Sequence, residues 1–348
     1  MNERQKTMRG VQLIGHGGPE MLSLRHDIPV PSIGPQEVLI RVSAAGINNT
    51  DINTRTGWYS KNDGASADAG WAGTALQLPR IQGADVCGHI VAVGREINKY
   101  RIGERILVEP CIWEVNGNEL SQPWYFGSEC DGGFAEYTRI TAKHAHKIDS
   151  LLSDIELASF PCSYSTAENM LTRANVTQND HVLITGASGG VGSAAIQLAK
   201  ARGAYVIAIT SPGKSKQLLE LGADKTIFRD CNLPQELGTS DIDVVIDLVA
   251  GKQWPHYLEV LRPKGRYAVS GAIAGPIVEL DVRTLYLKDL SLFGCTSLEP
   301  GVFHRLIKLI EAGAISPVIA QSFPLEEIGL AQQLFLEKSH IGKMVLTL

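Results

Sequence analysis

The stretch Val182-Leu183-Ile184-Thr185-Gly186-Ala187-Ser188-Gly189-Gly190-Val191-Gly192 passes from an apolar strand through a glycine turn into a helix expected to open at Ser193. Its small-residue pattern consists of Ala187, Gly189 and Gly192. Small residues are needed there because the turn must be tight, the backbone must approach a pyrophosphate, and the helix must pack closely on its strand. Ala187, Ser188, Gly189, Gly190, Val191 and Gly192 are therefore the expected phosphate cradle, with the helix dipole adding to the attraction. A plain tight turn is the competing reading, and the flanking sequence decides between the two.

Downstream, apolar strands alternate with helical stretches: 204–210, then a helix at 214–221, a short strand near 226–228, and further strands at 243–247, 266–270 and 289–294. Six strands interleaved with helices predict a parallel sheet covered on both faces, the number found in a complete dinucleotide-binding Rossmann sheet. Upstream, from Val11 to about Ile148, short alternating apolar runs broken by Gly, Pro and Asn predict strands and turns. The tail after Gly313 again reads strand, turn, helix, strand and is expected to return to the first domain.

An NAD site places an acid about 20 residues after the glycines, at the end of the second strand. Here that end reads Thr210-Ser211, followed by Lys214 and Lys216, with Arg229 after the third strand. A hydroxyl and cations suit a 2′-phosphate, so NADP(H) is favoured. The alternative reading makes both lysines solvated charges on a helix start.

The 348 residues suit two domains, and 44% hydrophobic with 20% charged residues is an ordinary globular balance. A net charge of −5 with scattered cations offers no footprint for nucleic acid or anionic lipid. No stretch approaches the ~20 apolar residues of a membrane helix, so a cytoplasmic address is expected. Six dispersed cysteines without a CxxC pair fit reduced thiols.

Several collinear stretches carry a resemblance: Ala45 to Asp51, Gly83 to Gly88, Asp131 to Tyr137, the Gly186 to Gly192 turn, Leu221 to Asp224, and Gly342-Lys343. The sequence resembles the medium-chain dehydrogenase/reductase superfamily, and within it the quinone oxidoreductase-like branch. The resemblance implies an α/β chain with a GroES-like β-barrel catalytic domain at 1–156, completed by 314–348, and a six-stranded parallel Rossmann NADP-binding domain at 157–313. It implies Asn48 and Tyr59 as catalytic candidates beside the nicotinamide, with Cys162 and Thr166 near it, and Gly271 and Ala272 admitting the carboxamide. Asn48 is expected to donate its amide to a substrate oxygen, and Tyr59 a proton. The competing readings are a turn-stabilising Asn and a loop aromatic.

In the zinc alcohol dehydrogenases of this superfamily a Cys, a His and a later Cys or Asp hold the catalytic metal; here those places read Asn48, Ala84 and Cys162. A zinc centre needs about three good protein ligands, so no metal is expected. The structural zinc lobe would need four cysteines, and the segment from Glu109 to Asp131 holds Cys111 and Cys130. His89, His144 and His146 are expected in separate, structural settings. The segment from Trp58 to Arg80 is longer than its counterpart in compact quinone reductases, as a lid or pocket wall is.

Without a Lewis acid, hydride transfer suits a conjugated carbonyl, a quinone, an enone or a related activated double bond. A zinc-free aldehyde or ketone reductase, a metal enzyme with relocated ligands, and a non-enzymatic NADPH-binding protein are the alternatives. A small-molecule substrate is the expected partner. The residues around Leu285-Tyr286-Leu287 and Leu290 to Phe293 are apolar beside the last strand, where proteins of the resembled family commonly pair edge to edge, so the resemblance implies a homodimer or a dimer of dimers.

Overall fold

The computed structural model describes residues 6–60 and 69–348. The chain forms two compact units, one of Met1–Cys162 with Pro317–Leu348 and the other of Ser163–Ser316. The first division falls inside the helix Pro161–Arg173, later than residue 156.

In the Ser163–Ser316 unit six strands form one sheet in the order Lys225–Phe228, Tyr205–Thr210, His181–Ile184, Ile242–Asp247, Leu261–Val269, Ser291–Gly294. All neighbours are parallel. Counted along the unit this is the order 3-2-1-4-5-6 of a doubly wound dinucleotide-binding sheet. Val182, Leu183, Ile184 and Val244, Val245, Ile246 are fully buried, which is why these strands read as unbroken apolar runs. The chain reverses its direction of building between the His181–Ile184 and Ile242–Asp247 strands. Ligands of such sheets bind outside the carboxyl ends at that point.

The helix after the glycine turn spans Gly190–Ala201 and so opens before Ser193. Gly189 is its extended N-cap, and the Gly189 carbonyl accepts the Ser193 amide at 2.9 Å, which draws Gly190, Val191 and Gly192 into the first helical turn. The expected 214–221 helix is divided into a 3-10 turn at Pro212–Lys214 and an α-helix at Ser215–Glu220.

In the other unit the strands Ala145–Lys147, Arg105–Val108, Cys87–Val93, Glu37–Gly46, Lys343–Thr347 and Ile319–Pro324 follow one another in a sheet, with Tyr137–Thr141 also pairing with Glu37–Gly46. The last strand of the chain lies antiparallel to Glu37–Gly46, with Val345 opposite Gly46 and Leu346 opposite Ala45. Val38, Ile40, Ile90, Ile106, Phe134 and Leu346 meet in the core beneath. The helix Asn49–Thr56 leaves directly from the Glu37–Gly46 strand, so residues 48–51 sit beside the tail strand. Among the described residues no helix is long and apolar enough to cross a membrane.

Candidate active site

The glycine turn is built for close approach. A Cβ on Gly192 would fall 2.3 Å from the Gly186 carbonyl oxygen, so no other residue fits there without moving backbone. A Cβ on Gly189 would meet nothing nearer than that same oxygen at 3.5 Å, so the protein leaves the space over Gly189 unfilled. No side chain caps the helix N-terminus. Open amides, a positive helix end and unfilled space over a glycine fit the pyrophosphate of a nicotinamide dinucleotide.

Asp247, fully buried at the end of its strand, accepts hydrogen bonds from the Thr185 and Tyr267 hydroxyls and from the amides of Val249 and Ala250. It thereby fixes the 248–251 loop beside Gly186. Sequence reading passed over Asp247 because an acid ending a strand looks like any turn residue. Gly271 is small because the Leu248 carbonyl oxygen would lie 2.9 Å from its Cβ, so the close approach is to protein backbone. Ala272 and Thr166 are both half-buried, Thr166 on the helix Pro161–Arg173.

At the ends of the second and third strands a hollow of about 390 Å³ is lined by Thr210, Ser211, Pro212, Phe228, Arg229, Asp230 and Cys231. Lys214 reaches toward the phosphate turn, its Nζ 3.5 Å from Ser188 Oγ. Its pKa is lowered, first by burial and then by the nearby Arg229 cation. An anion between two crowded cations would relieve that repulsion. Lys216 is different: it is turned to solvent, 89% exposed, and pairs with Glu220 at 3.8 Å. Neither lysine lines the hollow itself, but Lys214, at the end of the 3-10 turn, is half-buried beside Arg229, whereas Lys216, on the α-helix that follows, faces solvent. Asp230 lines the hollow and was not foreseen; it is exposed, and one acid stands against the two cations.

In the other unit a buried polar cluster surrounds Lys343, which is 2% exposed. Its ammonium donates to Asp85 Oδ2 at 2.7 Å, to the Ile47 carbonyl at 2.9 Å and to Asn48 Oδ1, which uses all three of its hydrogens. Asn48 Nδ2 donates to Asp85 Oδ2 at 2.8 Å and more weakly to the Gly46 carbonyl at 3.4 Å. Asn48 also begins the helix Asn49–Thr56, its amide N–H donating to Asp51 Oδ2 at 2.8 Å. Both ends of the Asn48 side chain are thus engaged within the protein. The amide expected to face a substrate oxygen is here bonded to a buried ammonium and a buried carboxylate, both of which need it.

Two carboxyl groups share this one cation. Burial, reinforced by the Asp85 charge, pushes Asp51 up to about 7 despite the backbone bond from Asn48 and the pull of Lys343. Cys162 donates its amide to Asp85 Oδ1 at 2.5 Å, and its Sγ accepts the Tyr125 hydroxyl at 3.0 Å. Burial and then Asp85 push the Cys162 thiol up to about 12, so it stays protonated. Tyr59 is half-buried, donates its hydroxyl to Thr50 Oγ1 at 3.0 Å, and has its pKa raised by burial. Cys162 and Asp51 lie close enough to Tyr59 to add to that rise. Asn48, Tyr59 and Cys162 therefore share one neighbourhood, with Lys343, Asp51, Asp85 and Tyr125 as members that sequence reading did not assign. A lysine opening the otherwise apolar run 343–346 was the available signal, since a buried cation requires a carboxylate partner.

Among the described residues no three His, Cys, Asp or Glu side chains are grouped so as to hold a metal ion. His144 and His146, expected in separate settings, both hydrogen-bond Glu109 Oε2, at 3.1 and 3.0 Å. The antiparallel pairing of Ala145–Lys147 with Arg105–Val108 brings them to that carboxylate. The 109–131 segment forms the hairpin Cys111–Val115 and Asn118–Tyr125. Of the long 58–80 segment, residues 61–68 lie outside the described residues.

Residues 34–150 match the model of the alcohol dehydrogenase GroES-like domain, and 190–312 that of the zinc-binding dehydrogenases. The human quinone oxidoreductase is 30% identical over 358 aligned positions, covering 99% of both chains. An acryloyl-coenzyme A reductase of Metallosphaera sedula is 30% identical, covering 98% of this chain and all of that one. A solved chain from Sinorhizobium meliloti 1021, provisionally named an alcohol dehydrogenase, superposes with a TM-score of 0.94 at 45% identity, covering 100% of this chain and 98% of the other. The expected architecture, a GroES-like domain with a six-stranded parallel Rossmann sheet, holds. The chain belongs to the quinone oxidoreductase-like branch of the medium-chain dehydrogenase/reductase superfamily, a family of oxidoreductases.

Proposed function

We propose that the chain is an NADPH-dependent reductase that delivers hydride to a conjugated carbonyl, a quinone or an enone, without a metal ion. The observation that carries the cofactor reading is the hollow lined by Ser211 and Arg229, with Lys214 beside it. A hydroxyl and two cations complement a 2′-phosphate through charge-assisted hydrogen bonds. The donor set supports metal-free chemistry: an amide already committed to Asp85 and Lys343, an alanine, and a thiol held protonated. Quinone oxidoreductase and acryloyl-coenzyme A reductase are the names of two full-length relatives, and both name acceptors with a double bond conjugated to a carbonyl.

NADPH would supply the hydride, which adds to the electron-poor carbon of the acceptor while the electron pair of the double bond moves toward the carbonyl oxygen. Tyr59 is the chain's own proton donor in this reading. Its phenol, anchored at Thr50 Oγ1 and raised by burial, is protonated at neutral pH. Asn48 and Asp85 hold Cys162 and the helix Asn49–Thr56 in place around it.

The test is steady-state NADPH oxidation against a panel of quinones, enones, aldehydes and ketones. The reading expects turnover on the first two classes that persists after treatment with a chelator. A chain that binds NADPH but oxidises it with none of these acceptors is a nucleotide-binding protein; activity restored only by zinc marks a metal enzyme.

We also propose a homodimer or a dimer of dimers. Ser291–Gly294 is the edge strand of its sheet, and the neighbouring helix Val282–Leu287 buries none of its residues. Tyr286 and Leu287 are 60% and 72% exposed. Edge-to-edge pairing across a two-fold axis would cover both.

A further inference from the structure

Within the long 58–80 segment, the residues from Ala69 onward close a small loop on themselves. Ala69 bridges Ala75, the Gly70 amide donates to the Thr74 carbonyl at 2.7 Å, and the Gly73 amide donates to the Gly70 carbonyl at 3.1 Å. The loop is also pinned from outside. Trp71 N–H donates to Ser128 Oγ at 3.0 Å and Ala72 N–H to Glu129 Oε1 at 2.8 Å, while Glu129 Oε2 accepts the Tyr125 amide at 2.9 Å. One carboxylate therefore ties the loop to the end of the strand Asn118–Tyr125.

The consequence is an aromatic pair. The indole of Trp71 stacks on the Tyr125 ring with centroids 4.8 Å apart and planes 27° from parallel. Tyr125 is buried, and its hydroxyl is spent on Cys162 Sγ. Trp71, by contrast, remains half-exposed although its backbone is anchored. An indole that has surrendered conformational freedom without gaining full burial is preorganised to receive a flat apolar surface.

We propose that Trp71, backed by Tyr125, is a specificity-determining residue: a stacking surface for the ring of a planar acceptor, favouring fused-ring quinones over open-chain enones. The proposal rests on the reductase reading above. Tyr125 fixes the height and tilt of the surface, and Glu129 fixes the loop that carries it.

The test compares the wild type with Trp71→Leu, which keeps apolar bulk without a ring, and Trp71→Phe, which keeps a ring. For 1,4-naphthoquinone, KM should rise about tenfold in the leucine variant and stay within about threefold of wild type in the phenylalanine variant, in line with the worth of an aromatic pair. For but-3-en-2-one, kcat/KM should change by less than about twofold, and the NADPH dissociation constant should not move. Equal shifts for both acceptors, or no shift for naphthoquinone, overturn the proposal. Calorimetric titration of NADP-loaded protein with 2-naphthol, which cannot be reduced, gives an answer independent of turnover. Binding about tenfold weaker in the leucine variant supports the stacking surface. Equal binding, or none by the wild type, overturns it, whereas a wild type that binds naphthol but reduces neither acceptor refutes the reductase reading alone.

Discussion

Lys343 Nζ lies 2.7 Å from Asp85 Oδ2, and neither side chain reaches water beyond 2%. This pair joins the last strand of the chain to the segment after Ile81, and Asn48 bridges its two members. Removing one charge leaves the other buried without a partner, which costs roughly 3–5 kcal/mol. Lys343→Met and Asp85→Asn should each lose about that much stability in urea unfolding, and the double variant should lose less than the sum. Strictly additive losses would show that the two side chains do not act as a pair.

Asp51 carries the clearest pH signature. Its folded-state carboxyl is pushed up to about 7 by burial, whereas in the unfolded chain it loses its proton near 4. Between those values the folded form binds more protons, so this residue makes stability fall as pH rises through the window. Asp51→Asn, which can still accept the Asn48 amide, should flatten the decline between about pH 4 and 7. An unchanged slope contradicts the assignment.

Lys214 and Lys216 differ by two positions and should differ in effect. Arg229→Ala and Lys214→Ala should each weaken NADPH binding about tenfold while leaving NADH nearly unchanged, as expected for charge-assisted contacts. Lys216→Ala, whose side chain is solvated beside Glu220, should leave both dissociation constants alone. A larger effect at Lys216 than at Lys214 would place the 2′-phosphate elsewhere.

Much of the Rossmann unit was legible in the sequence, because strands buried on both faces leave unbroken apolar runs such as 182–184 and 244–246. Its helix start was displaced from Ser193 to Gly190, since glycine's weak helix preference hides a first turn that the Gly189 carbonyl stabilises from outside. Of the Lys343 cluster the sequence shows a lysine in an apolar run but not its partners. Residues 48–51, 85, 162 and 343 come from four separate stretches, and pairing of Glu37–Gly46 with both the tail strand and Cys87–Val93 brings 343 and 85 to residue 48. Lys216 shows the same limit: the sequence shows a cation but not the helix phase that turns it to solvent beside Glu220.

The dimer prediction concerns the exposed helix Val282–Leu287. Light scattering should give a dimer or a multiple of it at micromolar concentration, and Leu287→Asp should shift the population toward monomer. A wild-type monomer under those conditions refutes the edge-to-edge arrangement.

The central claim is hydride transfer from NADPH to a conjugated carbonyl without metal. Its most direct measurement is kcat/KM for 1,4-naphthoquinone with NADPH and with NADH, on protein first stripped with a chelator. The account predicts turnover with both, a preference for NADPH of at least about tenfold, equivalent to ~1.4 kcal/mol, and no gain on adding zinc. Equal or better use of NADH, or turnover that appears only with zinc, would contradict it.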